Sequence, residues 1–192
     1  MTPSDATVLV VDDEEPVREA YTLYLESADY DVRTARNGGE ALTELSPAVD
    51  VMLLDRRMPG MSGEEVLEHV VEWHPGCRVA MVTAVDPDPD IVDMAFDDYL
   101  TKPVDRDELV GLVEQLLLLD RYETLMDEYH AAVRKRAVLS SYERRQGTGE
   151  DRLTELEARC QSVRSELASV VASFEDAAMK DVLEQVQPEP IE

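Results

Sequence analysis

The sequence predicts an α/β domain, a doubly wound five-stranded parallel sheet, followed by an all-α helical hairpin or coiled coil. Three observations predict it. Several short runs are wholly apolar, which suits strands covered on both faces. Stretches with helical spacing of apolar residues alternate with those runs, the pattern of parallel strands joined by right-handed crossovers. Beyond Asp105 the strand-like runs cease and only helical spacing continues.

Val8 to Val11 is the first strand and Val17 to Leu25 the first amphipathic helix. Asp31 to Ala35 and Gly39 to Leu45 repeat the strand–helix order, and Val51 to Leu54 with Glu64 to Trp73 repeat it again. Arg78 to Val82 and Asp98 to Leu100 complete the sheet. Asn37-Gly38-Gly39, Pro59-Gly60 and His74-Pro75-Gly76 supply turn chemistry between elements. Next, Leu109, Leu112, Val113, Leu116 and Leu117 make an apolar face suited to closing the sheet. The spacing runs on through Tyr122, Leu125, Met126, Tyr129 and Val133 without a breaker.

After Gln146-Gly147-Thr148-Gly149, the residues Leu153, Leu156, Cys160, Val163, Leu167, Val170 and Phe174 recur at heptad spacing. Two arrangements follow. Arg121 to Tyr142 and Asp151 to Ala178 fold back as an antiparallel hairpin, or the seam pairs with a second chain as a homodimer through 150–178. The short loop and the apolar face on both helices favour the hairpin. The expected divisions are 1–119, 120–186 and an unstructured tail over 187–192.

Forty-three acidic residues against eighteen Lys and Arg give a net charge of −25. Such a chain repels itself at low salt and rarely approaches DNA non-specifically. The same composition suits concentrated salt, where repulsion is screened within about 3 Å at molar strength. Hydrophobic content of 44% is that of a globular protein. No apolar run exceeds the four residues of Leu116 to Leu119, too short for a membrane span. Met1 to Ala6 is polar, and a cytoplasmic location is expected. Cys77 and Cys160 lie far apart with no His or Cys partner nearby and read as packing thiols.

In open parallel sheets, ligands bind beyond the carboxyl ends of the strands. Those ends carry Asp12-Asp13, Asp55 and Thr83, and Lys102-Pro103 follows the last strand. Three carboxylates meeting at one place repel each other. A hard divalent cation such as Mg²⁺, which takes oxygen ligands, relieves that repulsion. Lys102 supplies further compensating charge. A carboxylate so placed can act as a nucleophile toward phosphorus, in a reaction governed by positioning and charge neutralisation. Asp55, alone at the end of the central strand, is the candidate nucleophile. Asp12 and Asp13 are candidate metal holders, and Thr83 and Lys102 are candidate partners of phosphoryl oxygens.

With these residues the chain resembles the receiver domain of two-component signalling over residues 7 to about 118. The matching stretches are Val10 to Glu14, Leu53 to Gly63, Val82-Thr83-Ala84 and Asp97 to Pro103. Any one alone is weak; all of them in order, each at a strand end, are specific. The resemblance implies the flavodoxin-like strand order 2-1-3-4-5 and phosphorylation of Asp55 by a cognate histidine kinase. It implies Mg²⁺ held by Asp12, Asp13, Asp55 and the backbone carbonyl of Arg57. Tyr99 matches an aromatic switch residue that turns inward as Thr83 moves toward the phosphate, and the bond before Pro103 is expected to be cis. One stretch departs from the family. Only Ala84 to Asp98 separates the last two strands, with Pro87 and Pro89 inside, so the fourth helix is expected to shrink to a turn or two around Asp90 to Ala95.

Singly, these residues have blander readings: Asp12 and Asp13 as helix N-caps, Tyr99 as an ordinary strand residue. Jointly they do not. A phosphatase with an aspartate nucleophile usually has a second acid two residues on. Arg57 stands there instead, so only self-phosphorylation and self-dephosphorylation are expected. A phosphorylation-blind scaffold would not need the full acid pocket with Lys102. The C-terminal helices and acidic composition are similar to haloarchaeal response regulators bearing the helical HalX domain, a label that implies no established activity; the helical segment of this chain is expected to report to transcription or to a protein partner. Arg134, Lys135, Arg136, Arg144 and Arg145 form a basic cluster, read as compensation of a helix C-terminal dipole. No DNA-reading motif accompanies it.

Overall fold

The structure, a computed structural model, describes residues 6–74, 76–87, 89–146, 150–174 and 183. The elements run β1 (Thr7–Val11), α1 (Glu15–Glu26), β2 (Asp31–Ala35), α2 (Gly38–Glu44), β3 (Val51–Leu54) and α3 (Gly63–Trp73). They continue with β4 (Arg78–Thr83), a 3-10 helix (Pro89–Asp93), β5 (Asp98–Thr101), α4 (Arg106–Gln146) and α5 (Glu150–Ser173). All strand pairs are parallel, in the order β2-β1-β3-β4-β5. This is the doubly wound sheet and strand order expected. The fourth helix has shrunk to the 3-10 helix, where Pro89 can give no backbone donor to a longer ladder.

Helix starts are written locally. Asn37 accepts from the Glu40 amide at 2.9 Å ahead of α2. Ser62 and Glu65 form a reciprocal capping box at α3. Before α4, Asp105 accepts from the Asp107 and Glu108 amides at 2.9 and 3.0 Å, while its own amide donates to Glu108. A polar residue followed three places later by Glu thus fixes three starts, each worth about 1 kcal/mol.

The apolar strands split their side chains by alternation. Leu9, Val11, Met52 and Leu54 face one core with Val66, Leu67 and Val70 of α3. Val8, Val10, Val51 and Leu53 face the other with Tyr21 and Leu25 of α1 and Leu109, Val113 and Leu116 of α4. Two covered faces explain why Val8 to Val11 of β1 and all of β3 are apolar, each buried apolar side chain contributing about 1.5–3 kcal/mol.

The chain divides into two units, Met1–Leu117 and Leu118–Glu192, and α4 runs from one into the other. Within the second, Tyr122, Leu125, Tyr129 and Ala132 of α4 pack with Cys160, Val163, Leu167, Val171 and Phe174 of α5. Arg121 pairs with Glu166, Glu128 with Arg159 and Arg136 with Glu157, an order that runs the helices antiparallel. Val171 takes the buried place expected of Val170, which is half-buried. An α-helix turns at 3.6 residues, so a strict heptad drifts off the facing helix. The joining turn at 147–149, the extension to Ala178 and the tail over 187–192 lie outside the described residues, as do the side chains of Arg144 and Arg145.

Compensation of a helix dipole does not account for Arg134, Lys135 and Arg136. Helix α4 continues to Gln146, and the dipole acts only over the last turn. Among the described residues no helix is long and apolar enough to cross a membrane. Both cysteines are free and buried. Burial, with Asp97 and Asp50 nearby, pushes the Cys77 thiol up to about 12; burial also raises Cys160.

Leu167 is fully buried in the helical pair, so Leu167→Ala should cost about 2–5 kcal/mol in urea unfolding followed by circular dichroism. Because alkylation needs the thiolate, Cys77 should resist iodoacetamide at neutral pH in the native chain. Its labelling should accelerate only as pH climbs toward the raised value, or on unfolding at pH 8.

Candidate functional site

Register brings the strand ends level. Val11 pairs with Leu54, so the next residues, Asp12 and Asp55, leave the sheet side by side. Sheet-type hydrogen bonds still hold them: the Asp12 amide donates to Ala35 O at 3.1 Å and the Asp55 amide to Val11 O at 2.9 Å. Further along, Thr83 pairs with Thr101, and the Lys102 amide donates to Thr83 O at 2.8 Å. Lys102 therefore emerges on the same rim. Its bond to Pro103 is cis.

Lys102 Nζ donates to Asp12 Oδ2 at 2.6 Å and to Asp55 Oδ2 at 2.8 Å. Both carboxylates are buried. Burial raises the Asp12 carboxyl, against the opposing hydrogen bonds from Lys102 and the Glu14 amide. For Lys102, burial alone would lower the ammonium. The hydrogen bonds and charges of Asp12 and Asp55 together outweigh it and hold the group above the usual lysine range. Asp13 is exposed, and carboxylate oxygens of Asp12, Asp13 and Asp55 lie within 4.8 Å of one another. Three hard oxygen donors at that spacing, open to solvent on one side, fit Mg²⁺.

The helix-cap reading of the paired aspartates is not what the fold uses. Glu14 occupies the N-cap of α1 with no side-chain cap. Asp12 Oδ1 instead accepts from the Glu14 amide at 2.9 Å, and Arg18 Nη1 donates to the Asp12 carbonyl at 2.7 Å. These contacts orient Asp12 from behind. Asp55 Oδ1 accepts from the Arg57 amide at 3.2 Å, while the Arg57 side chain is exposed.

Thr83 is buried and accepts from the Val85 amide at 3.4 Å. Tyr99 Oη donates to the Val85 carbonyl at 2.7 Å, and its ring lies 5.7 Å from that of Phe96. Thr83 and Tyr99 therefore converge on the main chain of Val85, a link that no side chain in the sequence announces. Gly63, which sequence reasoning placed only at the end of a matching stretch, has a role of its own here. A Cβ there would overlap the Asp55 carbonyl oxygen and press on Arg56 Cα. The start of α3 thus lies directly on the backbone that carries Asp55.

A parallel sheet with an acidic rim and a lysine at its edge is the arrangement that the sequence resemblance to receiver domains implied. The chain belongs to the response regulators: residues 8–114 match the family model of the response regulator receiver domain, and residues 118–186 that of the HalX domain. A Haloferax volcanii protein described as a transcriptional regulator is 41% identical over 172 residues, 90% of this chain. This chain spans 30% of that protein's length. Among solved structures, a CheY-like receiver domain protein from Methanospirillum hungatei is similar at a TM-score of 0.58 and 27% identity. The match covers 62% of this chain and 98% of that one. Response regulator TrrA from Thermotoga maritima, solved in complex with Mg(2+)-BeF, is similar at 0.53 and 35% identity, over 58% of this chain and 98% of its own.

Because its Cβ has nowhere to go, Gly63→Ala should destabilise the domain by about 1–3 kcal/mol, read as a lowered midpoint of chemical denaturation. A variant of unchanged stability would show that the backbone of Asp55 yields freely.

Proposed function

We propose that this chain is a phosphoacceptor switch of a two-component relay, in which Asp55 takes a phosphoryl group from a cognate histidine kinase. The observation that carries this is one ammonium, Lys102 Nζ, shared between Asp12 and Asp55 with Asp13 alongside. A receiver domain would extend through residue 119, and an output domain over 120–186 would pass the state to transcription or to a protein partner.

Asp12, Asp13, an Asp55 oxygen and the Arg57 carbonyl would hold Mg²⁺, which when bound neutralises charge on the phosphoryl oxygens. The Asp55 carboxylate attacks phosphorus; the donor's bond to phosphorus breaks, and its electron pair leaves with the donor. No base is required, since no proton departs from the nucleophile. Lys102 exchanges its contact with Asp55 Oδ2 for a phosphoryl oxygen and keeps Asp12 as its anchor. Thr83 Oγ1, released from the Val85 amide, donates to a second phosphoryl oxygen. Tyr99, tied to the Val85 carbonyl, feels that release. An equilibrium between two arrangements of this corner is then biased by the new charge. Arg57 occupies the place where a phosphatase would need an acid, so the event is stoichiometric and not a turnover.

Incubated with Mg²⁺ and acetyl phosphate, the protein should gain one phosphoryl group by intact mass, and Asp55→Asn none. Asp13→Asn should slow uptake about tenfold or more through weakened metal affinity. Continuous release of phosphate over many equivalents per chain would speak for a hydrolase, and no uptake at all for a scaffold.

A further inference from the structure

We propose that the helical pair carries a docking groove for an acidic amphipathic helix of a protein partner. Residues of α4 and α5 line a groove of about 920 Å³. Val138, Leu139 and Leu156 give it an apolar floor, and Val138 is 68% exposed. Leu139 and Leu156 are half-buried beside it, so Val138 belongs to a shared apolar lining and is not a hydrophobic residue scattered singly.

The rim is cationic. Arg134, Lys135 and Arg152 are exposed and line the groove. None of the three makes an ion pair with a described residue. Arg159, also on the rim, is taken by Glu128 at 2.9 Å, and Glu155 is the acid that lines the groove. Arg136, the next base along α4, is drawn to Glu157 at 3.1 Å and belongs to the helix–helix contact. In a chain of net charge −25, a local gathering of cations that have no ion-pair partner among the described residues, beside apolar side chains, calls for explanation. Helix-dipole compensation does not supply one, because α4 extends well past these residues.

Charge complementarity selects the occupant. An amphipathic helix laid in the groove would cover the floor with its apolar face and meet the rim with flanking carboxylates. A nucleic-acid backbone would meet the cations but leave the apolar floor in water, and would bring phosphates against a strongly acidic chain. A second copy of the groove would set cations against cations. Salt then has a characteristic effect. Long-range repulsion from the acidic body fades once the Debye length falls to about 8 Å, while pairs formed against the apolar floor are screened less. Binding should therefore survive, or strengthen, between low and moderate salt, the reverse of nucleic-acid behaviour.

The test uses the full chain without phosphodonor, so its outcome is independent of Asp55. A short fluorescein-labelled helix with leucine on one face and glutamate flanking it is titrated by anisotropy. A lysine-for-glutamate version and a labelled DNA duplex serve as competing probes. Saturable binding of the glutamate peptide is expected, weakened at least about tenfold by the combined substitution R134E, K135E and R152E. V138D, at a site already open to water, should weaken it similarly. Should the triple variant lose helix content by circular dichroism, V138D alone carries the comparison. Equal affinity in the variants, preference for the lysine peptide or the duplex, or self-association of the chain in place of peptide binding would each overturn the proposal.

Discussion

Two carboxylates held largely out of water by one ammonium constrain most of this domain's construction. Such a contact is tolerable only when geometry is good and the remaining oxygens have donors, since desolvating the charges costs several kcal/mol each. Both conditions come from the backbone. Parallel pairing puts the ends of β1 and β3 flush, and the amides of Glu14 and Arg57 satisfy the carboxylate oxygens that Lys102 leaves free. Lys102 reaches them because β5 ends opposite Thr83. Removing one partner would strand a buried charge, so the cluster is collectively more fragile than any single hydrogen bond in it.

The remainder of the chain is held by less demanding means. The sheet is stabilised by two apolar faces, and the helical pair by a seam of buried side chains from Tyr122 to Phe174. Two of the ion pairs along that pair, Arg121 with Glu166 and Arg159 with Glu128, are exposed on both sides. They set register more than stability, since exposed pairs contribute about 0–1 kcal/mol.

What was legible in the sequence follows from what physics writes into side chains. Strands buried on two faces must be apolar, so β1, β3 and β4 stood out. A charged residue at the end of such a strand is conspicuous, so Asp12 and Asp55 could be noticed, and they gained specificity only jointly with Thr83 and with Lys102 beyond the half-buried β5. Contacts made by the main chain were not legible. The convergence of Thr83 and Tyr99 on Val85, and the close approach of Gly63 to the Asp55 backbone, use atoms every residue has, or the absence of a side chain. The exchange of Val170 for Val171 reflects a choice between two neighbouring valines that only the facing helix makes. Arg134, Lys135 and Arg136 were misread because their explanation depended on where α4 ends, and the helix runs on past them to a last turn that holds Arg144 and Arg145.

Helix α4 has a practical consequence. The division between the two units falls at Leu117 and Leu118, inside an unbroken helix, so no loop is available as a cutting point. Severing the chain there would leave dangling carbonyls on the upstream fragment and dangling amides on the downstream one, up to about four of each. Either fragment expressed alone would begin or finish on a raw helical stump. Fragments meant to be stable therefore need overlapping ends, each keeping some turns that properly belong to its neighbour.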